Sequence, residues 1–92
     1  MNHAVRLTIK GKVQGVGYRA WFSERAKDAS LCGWVRNRRD GAVEAVIFGE
    51  KETLSAFVKS CWVGPVMARV DNITDEVYSG PISPDFEILP TT

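Results

Sequence analysis

Residues 1–23 contain no aspartate or glutamate, although Arg6, Lys10, Lys12 and Arg19 all lie there. Between Gln14 and Arg19 the chain also lacks Ser, Thr, Asp and Asn, the residues whose side chains cap a helix start. Its only histidine, His3, stands near the amino terminus, where a frayed, solvated residue is expected rather than a base. The two cysteines, Cys32 and Cys61, fall away from the basic stretch, and no cluster of carboxylates accompanies it. Nucleophilic catalysis and a protein-held metal therefore find no support at this end of the molecule. Two thiols without a neighbouring histidine do not make a usual zinc site.

Other absences bound the class of protein. The apolar runs fall far short of the ~20 residues of a membrane span. Residues 1–7 alternate polar and apolar, unlike a signal peptide, so cytoplasm is the expected compartment. A net charge of +1 argues against a dedicated nucleic-acid binder, for which a strongly basic domain is the rule. The 92 residues suffice for one hydrophobic core and not for two, so a single domain over 1–92 is expected, acting as a monomer.

What is present begins with a strand pattern. Val5, Leu7 and Ile9 alternate with Arg6, Thr8 and Lys10, the signature of a strand with one buried face. Gly15 and Gly17 follow, and then Tyr18, Phe22, Ala26 and Ala29 recur at helical spacing. Gly33 is expected as the left-handed stop of that helix. Trp34 to Asn37 and Ala42 to Phe48 read as strands joined through Asp40-Gly41, a strong hairpin signal. Gly49 is expected to open a second helix with the stripe Leu54, Phe57, Val58 and Cys61, and Gly64-Pro65 ends it. Residues 68–77 form a fourth strand whose apolar parity changes, which a bulge near Asp71-Asn72 reconciles. Phe86 to Leu89 is a short last strand.

This order predicts an α+β, ferredoxin-like split β-α-β sandwich: an antiparallel sheet, two helices on one face and a short extra C-terminal strand. Right-handed crossovers give the order 4-1-3-2 for the first four strands. Asn37 then approaches the glycine loop from the neighbouring hairpin. Each cysteine is expected to close a different helix of an antiparallel pair, roughly 15–20 Å apart for helices of about a dozen residues. A disulfide needs Cα atoms within about 7 Å, so two free thiols are expected.

The glycine loop admits more than one use. Free glycines, unpaired amides and the positive end of a helix suit a phosphate. The same residues also serve a plain tight turn beside a solvated basic face. Residues 15–20 match the dinucleotide pattern G-x-G-x-x-A with Asp40 at a fitting distance, but Asp40 belongs to an antiparallel hairpin rather than a parallel βαβ unit. No Gly-Lys-Ser/Thr follows, which excludes a nucleotide-triphosphate loop. RNA-recognition modules share the topology but display two or three aromatics on central strands. Here strand 1 offers Arg6, Thr8 and Lys10, and strand 3 at most Phe48. A non-catalytic anion- or RNA-binding module is the alternative to an enzyme.

Three segments carry a family resemblance. Gly11-Lys12-Val13-Gln14-Gly15-Val16-Gly17-Tyr18-Arg19 closely resembles the signature of the acylphosphatases, and residues 33–44 resemble their second signature. Gly64-Pro65-Val66-Met67-Ala68-Arg69-Val70 is similar to a third, weaker segment, while residues 79–92 match only loosely and promise nothing catalytic. The resemblance implies hydrolysis of small acyl phosphates without metal or cofactor, inorganic phosphate being product and competitive inhibitor. It further implies that Arg19 binds the phosphoryl oxygens and Asn37 orients the attacking water. Backbone amides of Gln14, Gly15, Val16, Gly17 and Tyr18 would complete the cradle. The chemistry is consistent: a carboxylate of conjugate-acid pKa near ~4 leaves without protonation at neutral pH. No general acid is then needed, and positioning and charge stabilisation dominate.

Overall fold

A computed structural model describes residues 2–92. In β1 (Asn2–Lys12) Leu7 and Ile9 are fully buried while Arg6, Thr8 and Lys10 point to the other face, as the alternation requires. The chain continues through α1 (Tyr18–Asp28), β2 (Cys32–Asn37), β3 (Val43–Glu50), α2 (Lys51–Cys61), β4 (Arg69–Val77) and β5 (Phe86–Ile88). The sheet order is β4-β1-β3-β2-β5, which contains the expected 4-1-3-2. The first four strands pair antiparallel, but β5 lies parallel to β2. The sheet is therefore mixed, because the chain returns along the outer edge of β2 in the same direction as that strand.

Phe22 joins the two helices to the last strand. Its ring meets Phe57 of α2 edge-on at 5.1 Å and Phe86 of β5 at 5.7 Å. Between Lys10 and Gly11 the register shifts, so that Asp71 is the extra residue of β4 and the expected bulge is present. Val77 does not share the burial of Ile73. It is 90% exposed, at the end of an edge strand with nothing above it.

Three boundaries differ from expectation. Asn2, His3 and Ala4 pair with Glu50, Gly49 and Phe48. Backbone hydrogen bonds thus carry polar residues into the sheet, His3 is not frayed, and Gly49 extends β3 instead of opening α2. The left-handed stop of α1 is Ser30 (φ 58°), where the N–H of Leu31 returns to the Ala26 carbonyl at 2.9 Å. Gly33 lies within β2 at φ 134°, and a Cβ there would sit 1.9 Å from the carbonyl oxygen of Val46. Close strand contact, not helix termination, demands that glycine. Cys32 accordingly starts β2 while Cys61 ends α2, and both are free thiols.

On the open face Glu44 is buried between two arginines. It accepts from Arg36 at 2.9 Å and lies 3.7 Å from Arg6, and the Arg36 guanidinium covers the Trp34 ring at 4.6 Å. Arg6 and Arg36 of this face are thereby paired or stacked. Among the described residues, no helix is long and apolar enough to cross a membrane.

Candidate active site

β1 and β2 run in the same direction and α1 starts where both end, so the glycine loop, Asn37 and the first turn of α1 meet at one end of the sheet. Gly15 and Gly17 adopt φ 75° and 81°, conformations that a side chain would strain. Gly17 is the N-cap of α1, with no side-chain cap and no acidic residue in the first turn. The first helical bond runs from the Trp21 N–H to the Gly17 carbonyl at 3.0 Å. Consequently the N–H groups of residues 15–20 donate to no acceptor among the described residues. Six consecutive donors at the positive end of a helix form a ready anion cradle.

A cleft of about 240 Å³ opens here, lined by Val13, Gly15, Gly17, Tyr18, Arg19, Ala20, Asn37 and Ile88. Arg6, Arg36, Arg38 and Arg69 each pair with a carboxylate. Arg19, half-buried in the cleft, forms no salt bridge or side-chain hydrogen bond among the described residues. An uncommitted guanidinium beside unpaired amides complements a dianion. Opposite it, Asn37 is 9% exposed, and its Oδ1 is buried without a partner.

Gln14 and Val16 do not line this cleft. The Gln14 side chain is committed elsewhere: its Nε2 donates to the carbonyls of Arg38 (2.7 Å) and Ala42 (2.9 Å). Val16 packs against the core. Tyr18 turns its hydroxyl inward to donate to the Cys61 carbonyl at 2.6 Å, and burial raises its pKa above the ordinary phenol value. It anchors the loop to α2. Burial likewise pushes the Cys61 thiol up to about 12, only partly offset by its bond with Tyr18.

Sequence reasoning missed the contribution of residues 86–92. Ile88 forms one wall of the cleft. The Thr92 N–H donates to the Asn37 carbonyl at 3.1 Å, and the Thr92 carbonyl accepts from the Arg39 N–H at 2.8 Å. This segment braces the backbone that carries Asn37. The sole local sign was the short apolar run from Phe86. A larger hollow of about 550 Å³ beside α2 contains none of the glycine-loop residues.

The profile of the acylphosphatase family matches residues 5–88. The chain belongs to the acylphosphatase family. An acylphosphatase from Azorhizobium caulinodans is 47% identical over 81 residues, covering 88% of this chain and 87% of that protein. The acylphosphatase structure from Coxiella burnetii superposes with a TM-score of 0.90 at 33% identity, covering 96% and 93% of the two chains. Full-length HypF, in a phosphate- and nucleotide-bound form, contains a matching segment at TM-score 0.90 and 26% identity. That segment covers 99% of this chain and 12% of HypF. As an acylphosphatase the chain is a hydrolase whose substrate is a small acyl phosphate, cleaved to a carboxylate and inorganic phosphate. Among the described residues no three His, Cys, Asp or Glu side chains cluster to hold a metal ion.

Proposed function

We propose that the acylphosphatase reaction takes place in the cleft between the glycine loop, Arg19 and Asn37. The observation that carries this reading is the run of unpartnered N–H groups at 15–20 in the loop that lines one cleft with an unpaired Arg19. The phosphoryl oxygens lie against these amides, with Gly15, Val16, Gly17 and Tyr18 contributing backbone donors and Arg19 a planar fork. The Gln14 side chain stays with the hairpin, and only its amide is available to the cradle. Asn37, which lines the same cleft, orients the attacking water through its side-chain amide. The water oxygen bonds to phosphorus while the bond from phosphorus to the acyl oxygen breaks. Its electron pair leaves with the carboxylate, and the displaced water proton passes to phosphate or solvent. The leaving carboxylate needs no acid at neutral pH.

Inorganic phosphate, once released, fits the same cradle and competes with substrate. The protein acts as a cytoplasmic monomer; Arg6 and Arg36 of the open face each pair with a carboxylate, which speaks against a nucleic-acid partner.

The test is Asn37→Ala assayed on benzoyl phosphate. The kcat should fall about 10²-fold, the scale of one well-placed polar group in a desolvated site. Inhibition by inorganic phosphate should change little, because Arg19 and the amides remain. Thermal melts on the same preparation separate this from a loss of folded protein. A folded Asn37→Ala enzyme with intact kcat ends the water-positioning role.

A further inference from the structure

The cleft is lined by apolar side chains as well as by Arg19 and Asn37, and the phosphoryl group explains only the polar ones. We infer that Ile88 is a specificity-determining residue that contacts the acyl group, so that this enzyme favours acyl phosphates with bulky apolar acyl groups over acetyl phosphate. The inference rests on the phosphoryl placement proposed above.

Ile88 is 48% exposed and lines the same small cleft as Arg19 and Asn37. Its position is tightly determined. β5 alternates, so Phe86 anchors the strand in the core and Ile88 emerges on the same side one repeat later. Ile88 pairs with Val35, and the Leu89 N–H donates to the Val35 carbonyl at 2.9 Å, two residues before Asn37. A β-branched side chain with restricted χ1 held this way is a stiff wall rather than a mobile flap. A lone exposed isoleucine is ordinary on a protein surface. Here it borders a phosphoryl-sized cradle, where a substrate necessarily extends beyond its phosphate.

The chemistry of the wall selects the ligand. Ile88 and Ala20 offer no hydrogen-bonding side chain, and no Lys, Asp or Glu lines the cleft. An acyl group with its own charge or hydroxyls would lose hydration there without a partner. A phenyl or branched alkyl group would instead remove apolar surface from water.

The experiment compares kcat/KM for benzoyl and acetyl phosphate in the unaltered protein, in Ile88→Ala and in Ile88→Thr. The threonine variant preserves β-branching and strand preference. In both variants the benzoyl-to-acetyl ratio should fall about fivefold, a modest part of what a hydrophobic contact discriminates because the wall is half exposed. The folded fraction cancels in this ratio. Equal losses on both substrates, or no loss on either, would overturn the inference and leave the phosphoryl placement standing. Failure of the unaltered protein to hydrolyse either substrate would overturn both.

Discussion

Gln14 Nε2 donates to the carbonyl oxygen of Arg38 at 2.7 Å, so the cradle loop is stitched directly to the hairpin that follows Asn37. The hairpin is itself pinned. Asp40 Oδ1 accepts from the Ala42 N–H at 3.0 Å, and the Gly41 N–H returns to the Arg38 carbonyl at 3.1 Å. The glycine loop and the hairpin, 24 residues apart in the chain at this contact, are held in register by one side-chain amide. Precise placement of reacting groups is what an enzyme without a general acid has to supply.

Gln14→Ala should therefore be a catalytic lesion more than a stability lesion. The carbonyls of Arg38 and Ala42 still accept from Gly41 and Arg38, so neither is orphaned. A stability loss of about 1 kcal/mol is expected, together with a roughly tenfold fall in kcat as the hairpin drifts from the loop. Urea melts beside steady-state kinetics check this. A fall in activity no greater than the fall in folded fraction would limit Gln14 to a structural role.

Arg19→Lys should lose most activity although the charge is kept. Lysine is a flexible point charge, whereas guanidinium presents paired donors in one plane. If Arg19 merely starts α1, lysine would serve equally well. Turnover and phosphate inhibition measured on the folded variant distinguish the two.

Activity should persist in excess chelator. The cleft is lined by no carboxylate or imidazole, and in the proposed mechanism Arg19 and backbone donors supply the charge stabilisation. Rates on benzoyl phosphate with and without chelator give the answer. A strong loss restored by magnesium would contradict the mechanism.

Stability should fall on the alkaline side. Burial holds the Cys61 thiol protonated to about 12 against an ordinary 9.0, and raises Tyr18 above its ordinary 10.0. Above pH 9 the folded state therefore keeps protons that the unfolded chain releases. These groups leave stability unchanged below about pH 8, and remove up to about 1.4 kcal/mol per pH unit each as the pH climbs past their ordinary values. Urea melts from neutral pH upward should show this fall, and Cys61→Ala should weaken its first part between pH 9 and 10. An alkaline limb identical in the variant would exclude Cys61 as its source.

Much of this molecule was legible because its signals are local. Alternation in β1, helical spacing from Tyr18 to Ala26, and the Asp40-Gly41 turn each act within a few residues. Chain handedness then converts these elements into one strand order, and that order alone brings Asn37 beside the glycine loop. Arg19 also stood out, in a stretch devoid of acids. Other features arise from contacts between distant segments and leave no mark on their own neighbourhood. Gly33 is glycine because a carbonyl from β3 passes 1.9 Å from where its Cβ would be, not because a helix ends there. The Gln14 stitch looks like one more loop residue until the hairpin arrives. Ile88 and Thr92 belong to a segment with little periodicity, since a three-residue strand draws its order from pairing with β2. Only when that strand docks does an isoleucine near the end of the sequence become a wall of the cleft.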